Sequence, residues 1–275
     1  MTSIKPNYSK FTAEDMARMG AVMGVPAKAM LGQAGLLPTP PDNAVILDNA
    51  CGAGLLTSIL FKAIGNSGGV RVVCGDIEEH LIKSTVEMIK ENGWNAEATI
   101  ADAQALPFPD NSFTHNLMNF GIQVIPDTDL VVKGPCSALI LLSLSLTPPT
   151  ESFRVLKPGG KLGVTSSTSP GWLESMTIAV PTFVPPPMFT TGPFATKESI
   201  TILLTGVGFT NVDVQSISCD HTEDMSRYFG YMKNMFATLL VGEVAEKYEA
   251  YMRERYGDGV FTLTSVSFVI TAEKL

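Results

Sequence analysis

The chain has 275 residues, 45% of them hydrophobic and 17% charged, with 24 glycines and 18 prolines, which is the makeup of a folded globule and excludes a mainly disordered or collagenous chain. Against 19 Lys and Arg stand 27 Asp and Glu, a net charge of −8. A nucleic-acid backbone is therefore repelled unless a local basic patch exists, and the sequence shows none.

The first residues lack the basic start and apolar run of a secretory leader, and no stretch reaches the roughly 18 apolar residues of a membrane span. The expected location is the cytoplasm. Cys51, Cys74, Cys136 and Cys219 are scattered without a CxxC pair, so neither disulfides nor a zinc site is expected. Thr12 followed by Asp15 reads as a capping box opening a helix whose Met16, Met19 and Met23 share a face, and Pro26 suits the first turn of a second helix. Residues 1–42 form a helical preamble.

From Asn43 the pattern changes. AVILDNACGAG is an apolar run closing on a carboxylate and a glycine-bearing turn, and LLTSILFKAIG continues at helical spacing. VRVVCGD is a second buried strand ending in an acid, followed by an amphipathic helix closed by Gly93. AEATI running into Asp102 is a third strand, SFTHNLMN a fourth, and KLGVTS, after the Pro-Gly-Gly turn at 158–160, a fifth. Strands alternating with helices predict a parallel sheet covered on both faces. Later come a Pro-rich stretch at 170–194, a helix capped by Thr196, a strand at 212–217, a Met- and aromatic-rich helical region at 222–256 and a final strand. Between strand four and ESFRVLKPGG, the apolar core ALILLSLSL within 137–150 fits no element this order needs. It reads as a buried insertion, a partner- or membrane-touching loop, or a stretch foreign to the ancestral frame.

Glycines after the first strand let a ligand approach the backbone over the strand ends. A dinucleotide site wants G-x-G-x-x-G, but here Gly52-Ala53-Gly54 is followed by Thr57 in the third place. Asp48 at the loop's base repels phosphate and suits a cationic ligand. Asp76, 24 residues past Gly52, can accept two ribose hydroxyls, and Asp102 stands at the third strand end beside Ala103. Each acid alone is also readable as a solvated strand terminus.

DNACGAG, GDIEEHLI, ADAQALPFPDNSFTHNLMNFGI and RVLKPGGKLGVTS, spread over residues 44–168, resemble in order the motifs of the class I S-adenosylmethionine-dependent methyltransferases. DNACGAG looks most like the small-molecule methyltransferases of fungal secondary metabolism. The resemblance implies an α/β fold, a Rossmann-like doubly wound seven-stranded sheet, mostly parallel with a final antiparallel strand, plus helical N-terminal and lid segments. It divides a single domain, 1–275, into the preamble 1–42, a cofactor-binding core 43–168 with the insertion 137–150, a substrate lid at 169–195 and 220–257, and a terminal strand at 258–275. It also implies S-adenosyl-L-methionine as methyl donor and S-adenosyl-L-homocysteine as product. Asp48 and the Asn49, Ala50, Cys51, Gly52 and Gly54 backbone would hold the methionine part, Asp76 and Ile77 the ribose, Asp102 and Ala103 the adenine, and Asn119, Phe120 and Gly121 would border the sulfonium. NFGI lacks the diproline-aromatic pattern of base-modifying relatives, and neutral Asn119 does not supply the acidic ligand of metal-dependent catechol relatives, so no metal and no nucleic acid are expected.

Methyl transfer is an in-line displacement that needs alignment and dryness more than covalent help. Only a hydroxyl acceptor profits from a base. Among the three histidines, His80 reads as a solvent-facing helix residue, His115 as a structural strand residue, and His221, just past strand six, as the candidate catalytic base, with Asp220 beside it. Pro135-Cys136 echoes a cytosine methyltransferase nucleophile, but no DNA-binding half accompanies it. Trp172, Met188, Tyr228, Phe229 and Met232 are the expected substrate-binding residues, with Phe183 and Phe236 near them, although the set at 225–239 also follows core helical spacing. Tyr8 and Phe11 are further candidates to fold over the donor. The expected partner is a small, largely apolar molecule carrying a hydroxyl, thiol or amine, and the expected state is monomer or homodimer. The rival readings are a catalyst that keeps the sulfonium as a fixed charge for a rearrangement or elimination, a noncatalytic binding module, and a nicotinamide oxidoreductase.

Overall fold

A computed structural model describes residues 13–66, 69–123, 125, 147–236 and 240–275. Tyr8, Phe11, Thr12, Pro135, Cys136 and the insertion up to 146 lie outside the described residues.

Helix α1 spans Ala13–Gln33 without interruption and carries Pro26 inside it, where a second helix start was expected. A proline there removes one ladder hydrogen bond. Ala27, Met30 and Leu31, all fully buried, press the following turns onto the sheet and hold the helix through it. Next come β1 (Val45–Asn49), α2 (Leu55–Ile64), β2 (Arg71–Asp76), α3 (Glu79–Asn92), β3 (Ala96–Ile100) and β4 (Phe113–Asn119). Gly93 ends α3 at φ 64°, the left-handed cap expected of it.

Helix α4 (Thr147–Val155) leads into β5 (Leu156–Ser169). The helix therefore begins within the expected insertion, because Pro148 and Pro149 occupy its first turn, where a missing N–H costs nothing. Strand β5 is longer than KLGVTS and takes in the Pro-Gly-Gly segment. Beyond it lie α5 (Gly171–Ala179), α6 (Lys197–Val207), β6 (Thr210–Asp224), α7 (Met225–Met235), α8 (Gly242–Tyr256) and β7 (Val260–Glu273). Thr196 caps α6, its side chain accepting from Ser199 N.

The sheet has seven strands in the order β3-β2-β1-β4-β5-β7-β6. The first five are mutually parallel, and β7 runs antiparallel to both neighbours. This is the expected architecture. One face packs α1, α2 and α3 through residues such as Met30, Leu60 and Ile89; the other packs α4 and α6 through Val155, Leu204 and Phe209. A third cluster, with Met176, Tyr228 and Tyr248, joins α5, α7 and α8.

Strand β6 runs well past the expected 212–217, and this length shapes the site. The last β5–β7 pair is Ser169↔Val266, whereas β6 and β7 stay paired from Cys219↔Ser265 to Asp224↔Val260. A two-stranded ribbon thus rises beyond the rest of the sheet. His221 lies inside it and not past it, and the helical part of the lid starts at Met225. Side chains alternate across a strand, so Cys219, His221 and Glu223 share one side of β6 and Asp220, Thr222 and Asp224 the other.

Candidate functional site

A cavity of about 810 Å³ opens over the C-terminal ends of β1, β2 and β4, bounded by α1, α5, α7 and the β6–β7 ribbon. Its size is at the upper end for a ligand site, enough for more than one small molecule.

The loop after β1 turns on three left-handed residues, Ala50, Gly52 and Gly54. At Gly54 a Cβ would stand 2.5 Å from Met88 Cε and 3.2 Å from Thr85 Cγ2, so glycine lets the loop press against α3. Asp48 is almost wholly buried, and its Oδ2 accepts from Thr57 Oγ1 at 2.6 Å and Thr57 N at 3.2 Å. The residue in the third glycine's place is there to hold this acid. Burial pushes the Asp48 pKa up to about 7, against the Thr57 hydrogen bonds and with the nearby Asp76 charge adding to the rise. The expectation that Asp48 repels phosphate as a fixed charge is thereby corrected, since in the open cleft Asp48 titrates near neutrality.

Asp76 accepts from Gly52 N through Oδ2 at 2.8 Å and from Glu78 N through Oδ1 at 2.9 Å. Each oxygen keeps a second lone-pair direction. Asp102 accepts from Gln104 N at 2.9 Å. Phe120, at φ 59°, donates its N–H to Thr165 Oγ1 at 2.9 Å, and Thr165 donates to Asn119 Oδ1 at 2.7 Å. Asp48, Ala50, Cys51, Gly52, Asp76, Ile77, Asp102, Ala103, Asn119, Phe120 and Gly121 come together on this one cavity. Asn49 and Gly54 do not line it: strand alternation turns Asn49 away from the Asp48 side, and Gly54 faces α3.

Trp172, Met188, Tyr228, Met232 and Phe236 line the other half. Phe229 does not; it packs in the lid core against Tyr228 and Tyr248 at 5.4 and 5.7 Å, with Arg253 over its ring. The helical spacing of the 225–236 stretch could not tell which residues face inward. Phe183 stays behind Trp172, 6.4 Å away.

His80 is exposed on α3. His115 is buried near the N-terminal end of β4, away from the cavity, and burial pushes it down to about 4. His221 does line the cavity, and burial lowers its pKa. Asp220 points to the opposite side of β6 and accepts from Thr264 Oγ1 at 2.6 Å, which removes it as a rival base.

Sequence reasoning missed Arg18, Phe189, Gln123, Glu223, Ser265 and Ser267 on the wall. Met19 and Met23, read only as one face of a preamble helix, also reach it. Among the described residues no helix is long and apolar enough to cross a membrane.

Residues 46–134 match the family model described as a methyltransferase domain. The chain is 28% identical to Methyltransferase ktnA of Aspergillus niger over 190 residues, 65% of this chain and 63% of that protein. It is 27% identical to the acetylaranotin bis-thiomethyltransferase of Aspergillus terreus over 155 residues, 55% of this chain and 46% of that protein. The matched stretches thus span between 46% and 63% of these curated relatives. Among solved structures, Haemonchus contortus phosphoethanolamine N-methyltransferase 2 in complex with S-adenosyl-L-methionine superposes with a TM-score of 0.56 at 15% identity, over 100% of this chain and 60% of that one. These findings bear out the resemblance read from the motifs.

Proposed function

We propose that this chain transfers a methyl group from S-adenosyl-L-methionine to a hydroxyl, thiol or amine of a small, largely apolar metabolite. The observation that carries this reading is the continuity of one cavity from the acid-tipped ends of β1, β2 and β3 into a pocket walled by methionines and aromatics. Such a cavity suits two molecules set end to end.

The donor half fits a sulfonium nucleoside. Among the described residues its side chains offer carboxylates, and the one lining arginine, Arg18, is paired with Glu223, which favours a cationic ligand over a pyrophosphate. Asp48 and the loop 49–54 would hold the ammonium end, and a cation arriving there would draw the proton from Asp48. Asp76 would accept the ribose hydroxyls through its two remaining lone-pair directions, with exposed Ile77 covering the sugar. Asp102 would accept from the adenine amino group and Ala103 N–H would donate to the ring. Asn119, Phe120 and Gly121 would border the reacting end.

When bound, the donor supplies a methyl group already activated by positive sulfur. The chain's own contribution is to align an acceptor on the line of that bond and to exclude water. His221 is the base within reach if the acceptor is a hydroxyl. Calorimetry with S-adenosyl-L-homocysteine, on the wild type and Asp76→Ala, tests the donor half; incubation with labelled S-adenosyl-L-methionine and a panel of phenols, dithiols and indoles tests transfer. Micromolar binding lost in Asp76→Ala and label in a small product are expected. Absence of binding by the folded wild type would sink the reading.

A further inference from the structure

The acceptor half of the cavity has a shape and a chemistry of its own. Trp172, at the start of α5, stands 4.7 Å from Phe236 with the rings tilted by 57°, and 5.8 Å from Phe189 at 82°. All three line the cavity. Rings inclined so steeply at those spacings make a corner, in which a flat guest lies on one face and meets the others edge-on. Met188, Met232 and Met235 line the same space; thioethers adapt to the outline of a guest and contact ring edges favourably.

The bases on the wall are not equivalent. Asp48, Asp76 and Asp102 are engaged by Thr57, by the Gly52 and Glu78 amides and by the Gln104 amide. Glu223 is held by Arg18, and Glu78 is exposed at the rim. His221 differs, because its Nδ1 is buried with no hydrogen-bond partner among the described residues. With Nδ1 occluded, Nε2 is the nitrogen left to serve the cavity. Burial lowers its pKa and so favours the neutral ring, the Cys219 carbonyl and Asp220 opposing that shift and Arg18 adding to it. Among the described residues the charged and titratable groups near it are Arg18 from α1, Cys219, Asp220 and Glu223 on β6, and Tyr228 and Tyr231 from α7; β7 brings Leu263, Ser265 and Ser267 to the cavity. Gly171 lies beside the ring, and a Cβ there would stand 2.8 Å from Leu263 Cβ and 3.1 Å from the Thr264 carbonyl oxygen, so the glycine lets the start of α5 press against β7 next to His221. A neutral imidazole suits a hydroxyl acceptor, which must lose a proton, whereas a thiolate or neutral amine needs no such help.

We infer that the acceptor is a planar aromatic alcohol of the phenol or naphthol class, its ring in the corner made by Trp172, Phe189 and Phe236 and its hydroxyl proton taken by His221. The inference rests on the methyl-transfer reading and narrows its substrate. The hydroxyl oxygen forms its bond to the methyl carbon and gives its proton to Nε2. The electron pair of the broken carbon–sulfur bond stays on sulfur, which becomes a neutral thioether. The imidazolium then returns its proton to water.

The test uses 2-naphthol, its saturated counterpart 2-decalol, and naphthalene-2-thiol. Calorimetry on protein saturated with S-adenosyl-L-homocysteine should show 2-naphthol binding at least tenfold tighter than 2-decalol, with that preference lost in Trp172→Ala. In turnover, His221→Asn should lower kcat for 2-naphthol by about 10²-fold or more while KM moves less than threefold and transfer to the thiol is unaffected. His221→Gln serves as the second variant, and retained S-adenosyl-L-homocysteine binding shows that each variant is folded. Equal affinity for the two alcohols, full turnover of 2-naphthol by folded His221 variants, or methylation of the thiol with 2-naphthol untouched would each overturn the inference. In those cases donor binding survives; failure to bind S-adenosyl-L-homocysteine at all would instead defeat the methyl-transfer reading itself.

Discussion

Arg18 Nε stands 2.9 Å from Glu223 Oε2, with the two side chains only 12% and 5% exposed, and this contact ties helix α1 to the ribbon of β6 across the cavity wall. Arg18 also donates to the Arg227 carbonyl at 3.1 Å and lies over the Tyr231 ring, so it is held on three sides. Burial raises the Glu223 pKa and Arg18 draws it back. Removing one partner leaves a buried charge unmatched, which costs about 3 kcal/mol, whereas replacing both by apolar groups of similar size is close to neutral. Glu223→Ala should therefore destabilise the fold by roughly that amount in urea denaturation, and Arg18→Met with Glu223→Leu should recover most of it. Equal losses in the single and double variants would show that the pair is not coupled.

Asp48 predicts an inverted pH dependence. Its carboxyl titrates near 7 in the fold against 3.8 ordinarily, because burial disfavours the charge. The folded state holds a proton that the unfolded state has released, so this acid's contribution to stability is fully present below pH 3.8 and is lost as pH rises through 7. The loss is on the order of 4 kcal/mol. Asp48→Asn should gain on the wild type steadily from about pH 4 to pH 7 and no further above it, while losing donor binding. Parallel stability profiles for the two proteins would contradict the buried-acid account.

His115 should act in the opposite sense. It is buried and neutral, pushed from 6.5 down to about 4 chiefly by burial, with Lys161 contributing and the Ala34 backbone opposing. Its contribution is therefore present above pH 6.5 and is lost as pH falls through 4, by about 3 kcal/mol. Between those limits it runs against Asp48, so the wild type should look nearly flat. In His115→Gln the Asp48 slope should emerge alone, and in Asp48→Asn the His115 slope. Denaturation midpoints at half-unit steps from pH 4 to 7 would settle it, and a wild-type slope as steep as either variant's would count against both.

The order of strands and the acid at each strand end were legible because each depends on a local pattern. An apolar run closing on Asp48, Asp76 or Asp102 needs no knowledge of distant residues. The aromatic wall was only partly legible: Tyr228 and Phe229 are adjacent in sequence, and which of them faces the cavity depends on Tyr248, a helix away. The length of β6 was hidden by its polar composition. Its alternate residues His221 and Glu223 are inward because the β7 partners Leu263 and Phe261 carry the apolar side of the ribbon, a pairing no local window contains. For the same reason Arg18, more than 200 residues from Glu223, gave no signal of its role.

The contact between two loops gives a last prediction. At Gly121 a Cβ would stand 2.6 Å from Ala50 Cβ and 2.8 Å from Met118 Cγ, closer than carbon atoms pack. One of those neighbours is a rigid stub on the glycine-bearing loop, so the 119–121 turn must move away from it. Gly121→Ala should cost about 1–3 kcal/mol in stability, as overpacking does. It should also weaken donor binding by about tenfold, because the turn and the loop border the same half of the cavity. Gly93→Ala is the control: it carries a positive φ of 64° with nothing within 4 Å of the added carbon, and it caps α3 at the end away from the loop. It should cost about 1 kcal/mol through backbone strain alone and leave affinity unchanged. If calorimetry shows the two variants losing affinity alike, the effect is global softening and the loop contact does not position the donor.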